Sequence, residues 1–242
     1  MSAAPSADSE AGKFFDQQQK SHGYEQLKTL TRAQDQAAAD ILNGEVQGRV
    51  LSIGGVWECY HNPPGLKQLT VLDLSENMLK SYAPSGARAV AADLYGGQLE
   101  AGAFDTVVFS LVLHHVAQGG WGECESRIHE ALKRARLWLK AGGKVYVLEY
   151  CPHPLWMPLQ RLGLPLTKLL LKMVKQPLVV MHARGFYEKA LDSAGFVACR
   201  TRRIIPHRFN EWALFPVFMA VSWFKMPVKI YPKMHVFSGS KP

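Results

Sequence analysis

A short β-branched run, Arg49-Val50-Leu51-Ser52-Ile53, ends on two glycines, Gly54-Gly55. About 20 positions later a second apolar run, Leu69-Thr70-Val71-Leu72-Asp73-Leu74, carries an acid near its end. Runs of this length and composition read as buried strands. Strand, glycine turn, helix, strand and acid, in that order and spacing, describe one nucleoside-binding α/β unit. Each part has a physical task. Glycines let the backbone approach a ligand closely. An acid closing the second strand can accept hydrogen bonds from a ribose diol. Here a bulky Val56-Trp57-Glu58 follows the glycines, so the layout is kept while the loop chemistry is altered.

Downstream the chain keeps alternating. A helix is expected from near Ser75, with Glu76 in its first turn and Tyr82 near its end. A short strand, Arg88 to Ala92, precedes Asp93, and Phe104-Asp105-Thr106-Val107-Val108-Phe109-Ser110 is a strong strand signal. Glu123 to Leu139 reads as a helix with Ile128, Leu132, Ala135 and Leu139 on one face. Ala141-Gly142-Gly143 is a turn before a strand over 144–149, and a further helix is expected over 184–194. Strands near 197–204 and 234–239 complete seven. Alternation at this spacing predicts a mostly parallel sheet with helices on both faces. Asn62-Pro63-Pro64-Gly65 reads as a turn.

Three segments fall outside the alternation. Residues 1–12 are small and polar and read as a flexible tail. Phe14 to Asn43 reads as two helices broken at His22-Gly23. Two inserts, 151–183 and 206–232, interrupt the second half. The first is rich in Pro, Leu and Lys, the second in aromatic residues.

The chain has 242 residues, enough for one sizeable α/β domain with insertions. Its net charge is +8, but the tightest basic clusters, Lys133-Arg134-Arg136 and Arg200-Arg202-Arg203, are short. They read as solvated faces of a helix and a strand, so no nucleic-acid partner is expected. Cys59, Cys124, Cys151 and Cys199 form no C-x-x-C pair, so neither a metal site nor a redox motif is expected. Scattered thiols and an N-terminal stretch without an apolar core fit a cytoplasmic location.

The series resembles the class I S-adenosylmethionine-dependent methyltransferases. It comprises Val50 to Gly55, Val71 to Ser75, Ala92-Asp93-Leu94, Phe104 to His115, Leu137 to Lys144, and the closing Ser238-Gly239-Ser240-Lys241-Pro242. The resemblance covers roughly 46–151 and 184–242. It implies a Rossmann-like fold with a seven-stranded sheet and a terminal antiparallel hairpin. It also implies a helical lid over 13–45, a catalytic domain over 46–242, and S-adenosylmethionine as cofactor. Carried over by position, Gly54 and Gly55 would pass under the cofactor's amino-acid part. Asp73 would hold the ribose, Leu74 and Leu94 would flank the adenine, Asp93 would accept from the adenine amino group, and Ser110 would line the sulfonium end. Two departures stand out: Ser52 replaces the family's usual acid, and Val56 and Glu58 replace glycines.

His114-His115 follows the strand ending at Ser110, where ligands sit in open α/β sheets. An imidazole there suits a general base or an orienting group. Packing or capping is the alternative for either histidine. Phe15 and Tyr24 in the lid are candidate substrate contacts, the alternative being an amphipathic helix that packs on the domain. Glu149 could face the same cleft or be a solvated strand end. Trp156, His182 and Trp212 are polar or amphipathic handles in the inserts.

The expected acceptor is an oxygen or nitrogen of a hydrophobic or heteroaromatic small molecule, of the kind found in specialised metabolism. The alternative keeps the fold but drops methyl transfer: the protein either catalyses another reaction on a small metabolite or only binds it. From Leu166 to Lys175, Leu and Lys interleave in a way that could suit a membrane surface. That segment is short and bounded by prolines, so a closed pocket is expected instead.

Overall fold

The computed structural model describes residues 35–54, 63–96, 99–116, 119–173, 178–204 and 232–242. Within them lies a seven-stranded sheet: β1 (Gln47–Ile53), β2 (Gly65–Asp73), β3 (Arg88–Ala91), β4 (Phe104–Ser110), β5 (Leu139–Cys151), β6 (Val197–Arg203) and β7 (Lys233–Ser240). Their spatial order is β3-β2-β1-β4-β5-β7-β6. The pairs from β3 to β5 are parallel, and β7 lies antiparallel between β5 and β6. The expected terminal hairpin is thus present, with β7 inserted inside β6.

Residue alternation along the strands builds two cores. Leu51, Ile53, Val107, Phe109, Val145 and Val147 face one side. They meet Ile128, Leu132 and Ala135 of helix α3 (Trp121–Trp138) and Tyr187 and Leu191 of helix α5 (Arg184–Ser193). Val50, Val71, Val108, Tyr146 and Leu148 face the other side. They meet Ala38 and Leu42 of a helix over 35–45 (α1) and Met78 and Leu79 of α2 (Glu76–Tyr82). Both faces are therefore covered, as a parallel sheet requires. The part of the 13–45 segment that the structure describes packs on the sheet through α1.

Several bounds differ from those the periodicity suggests. β2 begins at Gly65, four residues earlier than the apolar run, because Gln47 of β1 pairs with Gly65. The Pro-Pro turn is present just before it, with the Leu66 N–H donating to the Pro63 carbonyl at 3.0 Å. β5 begins at Leu139 because Leu139 pairs with Phe104, and the Gly142-Gly143 segment pairs with Lys241 through bonds of 3.0 and 2.8 Å. The expected Ala141-Gly142-Gly143 turn is thus part of a strand, with Gly142 at φ +73°.

The largest departure is in the first insert. Trp156–Met173 is one 18-residue helix, α4, despite its prolines. Pro158 sits in the first turn, where no N–H partner is needed. Pro165 lies inside and removes one ladder bond, without ending the helix.

Candidate functional site

The carboxyl ends of the five parallel strands form one row. Pairing of Ile53 with Leu72 and Phe109, Asp73 with Ala91, and Ser110 with Leu148 sets their tips level. The strand order changes direction between β1 and β4, and in open α/β sheets ligands bind at that switch.

Gly54 lies at the switch. Its φ is +67°, a region that favours glycine, and its N–H donates to the Leu72 carbonyl at 3.1 Å. A Cβ there would stand 2.7 Å from Val112 Cβ and 3.1 Å from the Ser110 carbonyl oxygen. Only a residue without a side chain lets β1 turn against the end of β4. Ser52 is buried beneath this turn, its Oγ donating to the Gly54 carbonyl at 3.5 Å. Where the resemblance leads one to expect an acid, a neutral hydroxyl supports the turn. Gly55, Val56, Trp57 and Glu58 lie outside the described residues, as do Phe15, Tyr24 and Trp212.

Asp73 closes β2. Its Oδ1 accepts from the Ser75 N–H at 2.8 Å, and Ser75 Oγ caps α2 by accepting from the Met78 N–H at 3.1 Å. Leu74 beside it is half-buried. Asp93 follows β3. Its Oδ1 accepts from the Tyr95 N–H at 2.7 Å, while Oδ2 is buried with no hydrogen-bond partner among the described residues. Leu94 next to it is buried.

Tyr95 was not singled out by the sequence, yet it ties this loop to α3. Its hydroxyl donates to the Arg127 carbonyl at 3.0 Å, and the Arg127 guanidinium carbon lies 4.2 Å from its ring centre. An aromatic residue two positions after the acid was the only available signal.

Beyond Ser110, which is buried, Leu111 adopts φ +52°, a strained conformation for a branched side chain. A single 3₁₀ turn, Leu113–His115, follows. Glu149 of β5 holds this turn. It is fully buried, so it is not the solvated strand end considered above. Its Oε1 accepts from the Leu113 N–H at 2.7 Å and the His114 N–H at 3.3 Å, and its Oε2 lies 2.7 Å from His114 Nδ1. A carboxylate on Nδ1 selects the tautomer that donates there and leaves Nε2 with a lone pair. The His115 ring centre is 4.1 Å from that of His114. Burial, and then the neighbouring His114, hold the His115 pKa well below the ordinary value, so His115 is neutral at pH 7.

His182 and Trp156 fall differently. His182 is almost wholly buried, stacked on Phe186 at 4.2 Å and edge-on to Trp121 at 5.0 Å. Its Nε2 has no hydrogen-bond partner among the described residues, and burial lowers its pKa to about 4. It is an enclosed ring rather than an open handle. The Val180 N–H, two residues earlier, donates to the His114 carbonyl at 3.1 Å, which links this segment to the histidine turn. Trp156 is half-exposed at the start of α4. A surface cleft of about 490 Å³ lies elsewhere, between α5 and β6, lined by Arg184, Glu188 and Arg200 among others. It is polar and lies off the row of strand ends.

Residues 51–147 match the family model described as a methyltransferase domain. No curated protein sequence matches the chain. Among solved structures, a chain of the complex between the Haloferax volcanii Trm112 methyltransferase activator and its methyltransferase is 12% identical. That alignment covers 94% of this chain and 97% of that one, at a TM-score of 0.63. A S-adenosylmethionine-dependent methyltransferase of Thermotoga maritima is 17% identical, covering 93% and 98%, with a TM-score of 0.59. Geranyl diphosphate C-methyltransferase of Streptomyces coelicolor, solved with Mg2+, geranyl diphosphate and S-adenosylhomocysteine, is 13% identical, covering 85% and 79%, with a TM-score of 0.60. At such identities the structural likeness speaks for the fold alone. Residues 51–147 of this chain match a methyltransferase domain, set in a fold shared with S-adenosylmethionine-dependent methyltransferases.

Proposed function

We propose that the protein methylates an oxygen or nitrogen of a hydrophobic or heteroaromatic small molecule, using S-adenosylmethionine held along the row of strand ends. The observation that carries the cofactor assignment is the buried Oδ2 of Asp93, which has no hydrogen-bond partner among the described residues. A buried carboxylate oxygen without a donor is costly, and an adenine amino group would supply that donor. Leu74 and Leu94 would flank the ring, Asp73 would take the ribose, and the Gly54-Gly55 turn would pass under the amino-acid end. Ser110 would line the sulfonium side. When bound, the cofactor supplies an electrophilic methyl group on a sulfonium sulfur.

What the chain adds is position and a proton acceptor. In-line transfer needs the acceptor atom about 3 Å from the methyl group in a site closed to water. His114, fixed through Nδ1 by Glu149, keeps Nε2 as a base for an acceptor O–H or N–H. His115, neutral and packed beside it, would orient the acceptor. Phe15, Tyr24, Trp156 and Trp212 would border the acceptor's apolar part, with residues 13–45 as a lid and the inserts 151–183 and 206–232 setting specificity. The free thiols Cys124, Cys151 and Cys199 fit a reducing compartment, and we place the enzyme in the cytoplasm.

Calorimetry with S-adenosylmethionine and S-adenosylhomocysteine tests the cofactor reading. The wild-type protein should bind both, and Asp93→Ala should weaken binding roughly 10-fold, the worth of one charged hydrogen bond. No heat with either ligand would sink the reading and favour a methyltransferase fold that has lost methyl transfer.

A further inference from the structure

Helix α4 faces the wrong way for a closed pocket. Leu164 is its one buried residue. It packs with Cys124 and Val180, against Trp121 and Leu178. Half-buried Met157, Gln160 and Leu171 share that inward side. Leu159, Leu162, Leu166, Leu169, Leu170 and Met173 are exposed by 52–81%. At about 100° per residue these six fall within an arc of about 100°, opposite Leu164. The result is a continuous apolar stripe along the whole helix, too long to be a scatter of single exposed leucines.

The charges decide what this stripe meets. α4 carries Arg161, Lys168 and Lys172, all exposed, and no acid. Between Glu149 and Glu188 the sequence has no carboxylate at all, and the chain as a whole is +8. Arg161 and Lys172 project from the flank of α4 between the inward side and the stripe, and no carboxylate on the helix offsets them. An anionic surface pairs them without conflict. No helix among the described residues is long and apolar enough to cross a membrane, so α4 would lie in the interface.

We propose that α4 docks this enzyme on an anionic lipid surface, leucines in the acyl boundary and Arg161 and Lys172 at the headgroups. The helix is tied to the site: Gln160 Nε2 donates to the Met181 carbonyl at 3.1 Å, and the Val180 N–H donates to the His114 carbonyl at 3.1 Å. Docking therefore sets the histidine turn close to the bilayer. The proposal stands independently of the acceptor's identity and of cofactor binding.

Vesicle flotation of the intact protein tests it, using phosphatidylcholine vesicles with and without phosphatidylglycerol, at low and high salt. The wild-type protein should float with the anionic vesicles, and less so in high salt. The variant L162E/L166E/L169E should lose at least tenfold in partitioning, since each leucine forfeits its burial and adds a charge. R161Q/K172Q should lose about fivefold per cation on anionic vesicles and nothing on neutral ones. This second variant leaves the stripe and the body-facing residues untouched, so it remains informative if the first fails to fold. Three results would overturn the proposal. One is wild-type protein that stays in the bulk with anionic vesicles. Another is either variant floating like the wild type. The third is light scattering showing a lipid-free dimer that the leucine variant converts to monomer.

Discussion

Replacing Glu149 tests whether a single carboxylate builds the candidate active site. Its two oxygens engage two main-chain N–H groups and one imidazole, at 2.7, 3.3 and 2.7 Å. Leu113 and His114, which supply the N–H groups, are both buried. In Glu149→Ala the short Leu113 bond forfeits about 2 kcal/mol and leaves a buried donor unpaired. The longer His114 bond forfeits about 1 kcal/mol, and the imidazole contact about 1 kcal/mol more. The sum is about 4 kcal/mol, a large share of an ordinary domain's stability of about 5–15 kcal/mol. Glu149→Gln keeps a carbonyl oxygen for both N–H groups and loses only charge assistance and the imidazole's preferred tautomer, so about 1–2 kcal/mol is expected. Urea unfolding followed by tryptophan fluorescence measures both. A cycle with His114→Ala should show a coupling of about 1 kcal/mol between the two side chains. If Glu149→Ala costs less than about 1 kcal/mol, the carboxylate does not hold the turn, and the positioning of His114 needs another source.

Gly54→Ala should destabilise the fold by about 2–3 kcal/mol, since the left-handed backbone disfavours Ala and its Cβ would press on Val112. Cofactor binding should fall with it, and an unchanged melting temperature would contradict the geometry. His182 gives a pH dependence. Its folded pKa is about 4 against the ordinary 6.5, so its contribution to stability is complete above pH 6.5 and declines as pH falls toward 4. His182→Phe keeps the ring stack on Phe186 and removes the titration. It should flatten that acid limb by about 3 kcal/mol, and parallel pH profiles for the two proteins would refute the assignment. His115 and His235, also shifted down by burial, should leave a residual slope in the same direction.

The sheet was legible because strand periodicity is a local property. Val50, Leu51 and Ile53, or Val107, Val108 and Phe109, declare by their own composition that both faces are covered. The cap at Ser75 and the apolar face of α3 were legible for the same reason. Strand starts were less so, because Gly65 and Leu139 join their strands only through partners far along the chain.

Candidate site positions at strand ends could be named in advance: Gly54 and Asp73 from spacing, Asp93 and Ser110 from the family resemblance, and Glu149 from its place at the end of a strand. Their work could not. That Gly54 has no room for a Cβ depends on Val112, and that Glu149 is buried rather than solvated depends on Leu113 and His114. Those partners are 58, 36 and 35 positions away. The prolines around α4 suggested a short, proline-bounded segment, yet Pro158 falls where no N–H is needed and Pro165 removes only one bond.

The sequence by itself determined the order of strands and helices and which residues close the strands, because both follow from period, glycine and strand-ending acids. Only the tertiary structure decided that His114 rests on a buried carboxylate, that His182 is enclosed by aromatic rings and that the leucines of α4 face outward. Each of these depends on which distant surfaces meet, and hydrophobic periodicity shows that a face is apolar without showing what covers it.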